Sequence, residues 1–342
     1  MKKKISIGDI AKELGVSKTT VSFVLNGKAR DNHISEALET KILKYIQEVG
    51  YQPNQFARGL RTGKTHIIGM LIEDISDPFF SSIARMIEER AYKKGYKIVY
   101  SSTENDTQKT KELINIYRTR QVDGYIIAPA PGIEEDIQSL IADKLPVVLF
   151  DRYFPEIETD TVVVDNFEGT YKAIQHLYAN GYQNVALVTL SSEQVQMQDR
   201  LNGYLKAIEE KGSEANIKKI VYHEDVSTTV KEIEKFLKAG KTIDAVFFAT
   251  NYLADAGLEA IKNLDLSISE QLGVIVFDDY NLFRLFTPSI TAVAQPIQAI
   301  ADNIINILLK RLSDPEKAHE KQIITIPTNL IIRDSTQKSV LT

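Results

Sequence analysis

The sequence predicts an N-terminal all-α head followed by a long α/β region built on doubly wound parallel sheets. Two observations predict this division. Over residues 1–52, apolar residues recur at helical spacing, and beyond residue 65 apolar β-branched runs alternate with amphipathic stretches. The net charge also changes sign between the two regions, which indicates that they have different partners.

The charge of the chain is divided unevenly along its 342 residues. Residues 1–64 hold 9 Lys and 3 Arg against 2 Asp and 4 Glu, a net charge of +6, which leaves −11 for the remainder of a chain whose total is −5. A basic head on an acidic body favours binding of a polyanion by the head. A basic end that is exposed to solvent and binds no polyanion would have the same charge. The charge alone leaves this alternative open.

Composition narrows the class of protein. The chain contains no Cys, which excludes disulfides and thiolate chemistry and fits a reducing compartment. No run approaches the roughly 18 apolar residues of a membrane span, and no apolar segment of a secretory signal follows the basic start "MKKKISIGDIAKELG". We therefore expect a cytoplasmic protein of two to three domains that does not contact a membrane.

The motifs of common enzymes are absent. The sequence has no GxGxxG, P-loop or GxSxG motif, and its five histidines lack metal-ligand spacing. Asp278 and Asp279 are adjacent at the end of a predicted strand, but neighbouring strand residues point to opposite faces and would not share a substrate atom. We expect neither an enzyme nor a bound metal or cofactor.

The head begins with short capped helices. Ser6 and Asp9 resemble a capping box with Asp in place of the usual Glu, and Gly15 ends the first helix. Ser17 is the predicted N-cap of a second helix over 18–25.

Two short helices joined by a turn through Gly15 have the spacing of a helix-turn-helix unit, and a longer amphipathic helix follows over about 35–49. The residues predicted to pack inward are Ala11, Val16, Val21 and Leu25. Those left on or near the outer face are Lys18, Thr19, Ser22 and Phe23. A generic three-helix interaction module fits this local pattern as well.

Residues 53–64, "PNQFARGLRTGK", form a linker between Pro53 and the next element. Three apolar residues in this stretch are too few for a stable isolated helix, so we expect a segment that becomes helical when it gains a partner.

The α/β region alternates strands and helices. Predicted strands are 66–75, 96–102, 124–130, 146–152, 184–190, 218–224, 244–251 and 273–279. Predicted helices are 79–94, 107–120, 167–180, 200–212, 229–239, 253–263 and 296–312. This number of strand–helix pairs is too large for one doubly wound sheet. We therefore expect two similar halves, with a break near 161–166.

Such sheets bind ligands at the carboxyl ends of their strands, and two facing halves would bring those ends to one cleft. The residues at the predicted ends are Asp74, Ser76, Asp77, Ala128, Asp151, Arg152, Thr189, Asn251, Asp278 and Asp279.

An ordered series of motifs over residues 5–336 resembles the lactose-repressor/galactose-repressor family of bacterial transcription regulators. The most specific parts are "DIAKELGVSKTTVSFVLNG" and "GYQPNQFARGLRTGKTHIIGML", followed by "DPFF", "VDGYIIAP", "VVLFDR", "DRLNGY", "VFDD" and "LIIRDST". The resemblance implies a dimeric repressor with a helix-turn-helix DNA-binding domain over 1–52, a hinge helix over 53–64 and an effector domain over 65–338.

The effector domain would have the two-lobed architecture of periplasmic sugar-binding proteins, with three crossovers between lobes. We assign 65–162 and 294–323 to the first lobe, and 163–293 and 324–338 to the second.

The resemblance places the second helix of the head in the major groove of DNA. The side chains expected at base edges are Lys18, Thr19 and Phe23, those nearer phosphates are Ser17, Thr20 and Ser22, and Asn26 completes the predicted DNA surface. Family members commonly have Arg where this chain has Phe23. Phe cannot donate to guanine and can only pack on a methyl group or sugar, so the family's base preference is not carried over.

In the linker, the resemblance aligns Leu60 with the leucine that family members insert into the minor groove, which would bend the duplex. Ala57 would pack on the partner's hinge, and Asn54 and Arg58 would contact backbone or groove. Leu60 as ordinary apolar linker surface is the alternative.

The family's effector ligands align with Arg200, Asn251 and Asp278, a guanidinium, an amide and a carboxylate that together suit vicinal hydroxyls. Either Phe79 or its neighbour could stack on a ring. Arg152 could bind an anion or only pair with Asp151. The complete predicted effector site is Asp74, Phe79, Ala128, Asp151, Arg152, Arg200, Asn251 and Asp278.

The expected partners are a palindromic double-stranded operator, a small effector that is most simply a carbohydrate, and a second copy of the chain. Only "TQKSVLT" follows Ser335, too short for an apolar heptad tail, so we expect dimers. The alternatives are a purine or phosphorylated effector, and a solute-binding protein without DNA function.

Overall fold

The computed structural model describes residues 5–51, 64–222, 225–239, 242–314 and 320–338. The chain divides into two compact units, Met1–Thr65 and His66–Thr342. The predicted hinge over 53–64 lies almost wholly outside the described residues.

The head is a small three-helix unit. Its helices are α1 (Ile7–Leu14), α2 (Lys18–Leu25) and α3 (Glu36–Glu48), with a 3₁₀ turn at Arg30–Asn32. They enclose a core of Ile10, Ala11, Val21, Val24, Ala29 and Ile42, against which Val16 and Leu25 also pack. The predicted helices and inward-facing residues are confirmed.

Local capping explains why α1 and α2 begin and end where they do. The Ser6 side chain accepts from the Asp9 amide while the Asp9 carboxylate accepts from the Ser6 amide, which satisfies two free donors of the first turn. Gly15 ends α1 with a left-handed φ of 66°, a conformation that glycine adopts without steric cost. Ser17 caps α2 by accepting from the Thr20 amide.

The second unit contains two six-stranded sheets. The strands are β1 (Ile67–Ile72), β2 (Lys97–Ser102), β3 (Gly124–Ile127), β4 (Val147–Phe150), β5 (Asp160–Val164), β6 (Val185–Leu190), β7 (Asn216–Ile220), β8 (Ala245–Phe248), β9 (Gly273–Phe277), β10 (Thr291–Ala294), β11 (Ile323–Ile326) and β12 (Asn329–Ile331). Their orders are β11-β5-β4-β3-β1-β2 and β12-β10-β9-β8-β6-β7. All pairings are parallel except that of β12 with β10.

Nine helices connect these strands within the described residues. They are α4 (Pro78–Lys93), α5 (Thr107–Thr119), α6 (Glu134–Ala142), α7 (Asn166–Ala179), α8 (Val195–Lys211), α9 (Val226–Ala239), α10 (Asn251–Asn263), α11 (Asn281–Leu285) and α12 (Ile297–Ser313). α12 packs on α4 and the first sheet, and α7 packs on α8 beside the second. Among the described residues, no helix is both long and apolar enough to cross a lipid bilayer.

The chain passes between the sheets after β5, after β10 and after β11, so each lobe is discontinuous in sequence. All three predicted lobe boundaries fall inside strands, since β10 of the second sheet also continues one residue past its predicted boundary, to Ala294. β5 continues to Val164 and β11 to Ile326, and both belong to the first sheet, so these crossovers come later than predicted. The shift arises because strands β5 and β11 pair with each other along their whole length.

Several elements were not predicted. α8 begins five residues earlier than the predicted 200–212, and α6, α11, β5, β10 and β11 are not among the predicted elements. α6 lacks a side-chain cap, because its N-cap is Ile133, so only the acidic residues of its first turn indicate its start. β12 has three residues, below the length at which alternation identifies a strand.

A buried ion pair joins three of these elements in the first lobe. Arg311 on α12 donates to both carboxylate oxygens of Asp160 on β5, at 2.8 and 2.6 Å, and to the Glu320 carbonyl at 2.7 Å. The Asp160 side chain is fully buried and also accepts from the Gln322 amide. The pair therefore ties α12 and β11 to the start of β5.

We expect Arg311→Met to lower the free energy of unfolding by about 3–5 kcal/mol, because it leaves the buried Asp160 carboxylate without its partner. Lys93→Met is the matched control: it removes an exposed pair with Glu89 at 2.7 Å and should cost less than about 1 kcal/mol. Urea unfolding measures both. Equal losses would show that Lys321, whose Nζ lies 3.8 Å from Asp160, compensates for the missing guanidinium.

Candidate functional site

The exposed surface of α2 carries most of the predicted DNA-contacting side chains. Ser17, Lys18 and Thr19 are exposed, whereas Thr20 and Phe23 are half-buried. The Ser17 hydroxyl is engaged in capping, because it accepts from the Thr20 amide at 3.0 Å and lies 2.8 Å from the Thr20 hydroxyl.

Asn26 and Ser22 form a second polar pair at the other end of the helix. The Asn26 amide donates to the Ser22 carbonyl at 2.6 Å, so this side chain helps to end α2. The Lys18 stem lies against α1, since a Cβ added at Gly8 would come within 3.0 Å of its Cε. That contact fixes the direction in which the Lys18 side chain leaves the helix.

Four further predicted DNA contacts fall on the linker. Asn54, Ala57, Arg58 and Leu60 lie outside the residues that the structure describes, and their roles stay predictions.

The second unit brings the carboxyl ends of its two sheets to one inner cleft. Its lining comes from both lobes: Glu73, Asp77, Phe79, Phe80, Asp151 and Arg152 from the first; Leu190, Gln194, Gln196, Met197, Arg200, Thr250, Asn251, Tyr252 and Asp278 from the second; and Gln295 from a crossover. The cavity volume open to a water-sized molecule among these side chains is about 40 Å³. This is close to the volume that a single water occupies in the liquid. The inner cleft is therefore closed.

The strand-end aspartates Asp151 and Asp278 occupy equivalent places in the two lobes. Both have left-handed backbone, with φ of 67° and 79°. Asp tolerates this conformation better than most residues, and it turns the chain sharply after β4 and β9. Six of the predicted effector residues line the inner cleft: Phe79, Asp151, Arg152, Arg200, Asn251 and Asp278.

The other two predicted effector residues are not found in the inner cleft. Asp74 accepts from the Ser76 amide at 2.8 Å and its hydroxyl at 2.6 Å, so it shapes the turn after β1, while its neighbour Glu73 faces the cleft. Ala128 is fully buried in the core. Its neighbour Pro129 lines a larger chamber beside the inner cleft, which is described below. Neither the Asp74 nor the Ala128 side chain reaches the inner cleft, because the face of the sheet toward which a strand-end side chain points depends on the residue at which the regular strand ends.

Arg200 is held rigidly in the second lobe. Its Nε donates to the Asn166 amide oxygen at 2.9 Å and its Nη1 to the Ala249 carbonyl at 2.6 Å. The guanidinium lies 3.5 Å from the centre of the Phe277 ring. Burial lowers the pKa of Arg200.

Asp278 is a strongly perturbed carboxyl at this site. Burial raises its pKa to about 6, against the opposing effects of Arg200 and of a 2.6 Å hydrogen bond from Gln295. Burial also raises the pKa values of Asp77 and Asp151. The cleft thus disfavours ionisation of these three aspartates.

Hydrogen bonds cross directly between the lobes. Asn251, at the start of α10, donates to Asp77 at 2.8 Å, and Asp77 also caps α4 by accepting from the Phe79 amide. Gln194, at the start of α8, donates to Asn105 at 3.0 Å and accepts from Arg152 at 3.3 Å. The closed arrangement is therefore held by side chains at helix N-termini.

The principal partner of Arg152 is Glu73. Their ion pair spans 2.7 Å with both side chains buried, while Asp151 lies 3.8 Å from Arg152 Nε. Burial lowers the pKa of Arg152, but the carboxylates of Glu73 and Asp151 raise it by a larger amount. The pKa of Arg152 therefore lies above its ordinary value. Tyr222 from the second lobe hydrogen-bonds Glu73.

Sequence reasoning missed Glu73, Gln194 and Tyr222. Glu73 directly precedes the strand-end acid that was predicted, so alternation along β1 could have identified it. Gln194 and Tyr222 lie on loops of the second lobe and had no local signal.

An outer chamber of about 420 Å³ adjoins the inner cleft, and Arg152 forms part of its wall. Its aromatic lining comes from Tyr153, Phe154 and Tyr222. Its volume is within the range of small-molecule sites. No group of three or more His, Asp or Glu among the described residues is arranged to hold a metal ion.

Two family models match the chain. That of the bacterial regulatory proteins, lacI family, covers residues 6–54, and that of the periplasmic binding protein-like domain covers 174–336. The chain is 31% identical over 343 residues to the HTH-type transcriptional regulator DegA of Bacillus subtilis, covering 97% of this chain and 98% of that protein. It is 29% identical to the HTH-type transcriptional repressor PurR of Aliivibrio salmonicida, covering 97% and 99%.

Solved structures agree with this assignment of the fold. The lac repressor dimer bound to operator and the anti-inducer ONPF has a TM-score of 0.83 at 22% identity, covering 98% of this chain and 99% of that one. A LacI family regulator from Enterococcus faecium with bound ribose has a TM-score of 0.70 at 26% identity, covering 80% and 99%. The predicted fold is confirmed, and so is the expectation of a regulator rather than an enzyme.

The buried Asp278 carboxyl gives a testable pH dependence. Because its folded pKa of about 6 lies above the ordinary 3.8, the folded state binds the proton more tightly, so this group's contribution to stability falls as pH rises from about 4 to 6. Asp278→Asn removes that loss. We expect the free energy of unfolding of the variant, minus that of the native chain, to be about 1 kcal/mol larger at pH 7.5 than at pH 5.

Urea unfolding at the two pH values measures this difference. Asp265→Asn is the control, since Asp265 is exposed at a left-handed position that Asn also adopts. A pH-independent difference for Asp278→Asn would mean that this carboxyl titrates in its ordinary range.

Proposed function

Because this chain belongs to the lacI family of bacterial regulatory proteins, we propose that it is a sequence-specific DNA-binding repressor whose operator affinity is controlled by a small effector between its two lobes. The observation that carries the proposal is the pairing, in one chain, of a basic helix-turn-helix head with a two-lobed cleft lined by polar groups from both sheets. Such a protein acts in the cytoplasm, where its DNA is.

In the head, α2 enters the major groove. Lys18, Thr19 and Phe23 face base edges, and Ser17, Thr20 and Ser22 lie nearer phosphates, with Asn26 at the end of the helix. In the hinge, Leu60 enters the minor groove, Ala57 packs on the partner's hinge, and Asn54 and Arg58 contact backbone or groove. The exposure of Lys18 and Thr19 supports these roles, because neither side chain contributes to the core of the head.

We propose that the chain acts as a dimer on a palindromic operator, since a two-fold protein reads two half-sites of opposite orientation. Exposed apolar side chains on the second unit are available for pairing. Tyr92 is 74% exposed on α4, and Val99 and Tyr100 are exposed on the edge strand β2.

The proposed effector is a sugar or sugar derivative. Arg200, Asn251 and Asp278 offer a donor fork, an amide and a carboxylate at one place, which suits neighbouring hydroxyl groups. The ribose-bound regulator shares this fold and supports a carbohydrate. Phe79, packed edge-to-face on Phe80 at 5.0 Å, offers an apolar surface to a ring, whereas Phe80 is turned toward Phe150 in the core.

Control of DNA affinity follows from the closed cleft. The inner cleft itself has room for only about 40 Å³, so a sugar held among all of its side chains would break bonds such as Asn251 to Asp77 and move the lobes. An effector shifts the lobe arrangement only by its difference in affinity for the two states. The first lobe follows the hinge in sequence, so its movement reaches the head.

A purine is the second candidate effector. Tyr222 and Tyr252 pack edge-to-face at 6.3 Å, and the outer chamber has further aromatic side chains on which a flat ring could stack.

The DNA-binding proposal is tested by measuring operator affinity against salt concentration. We expect binding to the chain's own upstream region to fall by about a thousandfold or more between 50 and 200 mM salt, because phosphate contacts release counterions. The footprint should be palindromic. A salt-independent affinity, or no protected palindrome, would favour a solute-binding protein without DNA function.

Base readout by α2 is tested with Phe23→Arg. We expect a gain of about 1–3 kcal/mol for guanine at one position of each half-site, because Arg donates to guanine O6 and N7 and Phe cannot. Selection of binding sites from random DNA measures the preference. Gln47→Arg adds the same side chain to the exposed face of α3 and is the control. An unchanged profile for Phe23→Arg would show that residue 23 packs and does not read a base.

The effector site is tested by a thermal-shift screen of sugars, sugar phosphates and purines, since a ligand of the folded state must raise the melting temperature. For a hit in the inner cleft, Asp278→Asn should weaken binding by about tenfold, because it removes a charged acceptor. Asp265→Asn should leave affinity unchanged. A hit that Asp278→Asn does not weaken binds elsewhere.

A further inference from the structure

The buried ion pair of Glu73 and Arg152 has a consequence for the kind of ligand that this cleft accepts. We propose that Glu73 is a specificity-determining residue that neutralises Arg152 and so excludes phosphorylated and other anionic effectors in favour of uncharged ones. The inference rests on the proposed function, because it concerns the ligand of the same cleft.

The geometry shows that the charge of Arg152 is already compensated by Glu73, although neither its Nε nor its Nη2 makes a well-aligned hydrogen bond. Glu73 Oε2 lies 2.7 Å from its Nη2, and the Arg152 and Glu73 side chains are only 4% and 10% exposed. Gln194 accepts from its Nη1 at 3.3 Å, and the Asp151 carboxylate lies 3.8 Å from its Nε. A phosphate would have to displace these oxygens to reach the guanidinium.

Glu73 is itself held in place from both lobes. Its carboxylate meets Arg152 from the end of β4 and the Tyr222 hydroxyl from the second lobe. An anionic ligand that displaced Glu73 would leave its carboxylate buried without a partner, at a large cost in free energy.

The charges of the inner cleft point the same way. Among the described residues that line it, four are carboxylic acids, namely Glu73, Asp77, Asp151 and Asp278, and two are arginines. A dianionic phosphate brought into this closed space adds repulsion that little water screens. The hydroxyl groups of an uncharged ligand can donate to the same carboxylates without that repulsion.

The test is calorimetric titration of the full-length protein with inorganic phosphate, and with glucose 6-phosphate beside glucose. We expect the native chain to show no saturable binding of phosphate. Glu73→Gln keeps the shape of the side chain and removes the principal counter-charge of Arg152, leaving only the more distant Asp151, so its phosphate affinity should rise by about tenfold or more. Adding Arg152→Gln to that variant should abolish the gain.

Glu134→Gln is the matched control. It removes a carboxylate from the wall of the outer chamber without releasing Arg152, and it should behave as the native chain does. Tyr222→Phe removes one hydrogen bond to Glu73 but leaves the ion pair, and it should also still reject phosphate. If Glu73→Gln does not fold, Glu73→Asp withdraws the carboxylate by one methylene and should give a smaller gain.

Saturable phosphate or glucose 6-phosphate binding by the native chain that Arg152→Gln abolishes would overturn the proposal. So would a folded Glu73→Gln variant without any gain in phosphate affinity. Either result leaves an effector-controlled repressor intact, with an anionic ligand in the first case. The proposed function fails separately, if no sugar, sugar phosphate or purine binds at the inner cleft.

Discussion

Burial of charge between the two lobes is the constraint on which the rest of the second unit depends. Parallel sheets direct all their carboxyl ends to one side, so two facing sheets concentrate strand-end polar groups in a single cleft. Once that cleft closes, each charge needs a partner, because an unpaired buried ion is very costly. Arg152 pairs with Glu73, Arg200 stacks on Phe277 and donates to Asn166, and Asp278 accepts from Gln295.

These pairings also decide how the lobes move. Most of the strong bonds lie within one lobe, so each set of ligands travels as a rigid body. The bonds between lobes include Gln194 to Asn105, which is neutral on both sides, and Asn251 to Asp77, in which only the carboxylate can carry charge. Neutral hydrogen bonds contribute about 1 kcal/mol each and those to a charged group about 1.5–3 kcal/mol, which a ligand can offset. Under the proposed function, the cleft is rigid where it would recognise a ligand and weak where it would open.

The head obeys a different constraint, because it is small and its helices have eight to thirteen residues. Such helices are marginal alone, and the caps at Ser6, Ser17 and Ser35 together with one shared core stabilise them. Those caps use serine hydroxyls at the ends of the helices. The remaining exposed polar residues of α2 are thus free to contact a ligand without loss of the fold.

The sequence by itself determined the elements whose signals are local. Capping residues, Gly15 and apolar periodicity located α1 and α2 to the residue, and buried β-branched runs located most strands, because these preferences act within a few positions of the chain. The convergence of Asn251 and Asp278 also followed from the rule for strand ends, whereas Arg200, which lies on a helix, was placed by the family resemblance. Tertiary structure decided what depends on residues far apart: that Glu73 and not Asp74 faces the cleft, that Ala128 is in the core, and that Arg152 pairs with a residue on another strand. It also set the crossovers at Val164 and Ile326, because pairing between β5 and β11 is a contact between distant segments and leaves no pattern in either one alone.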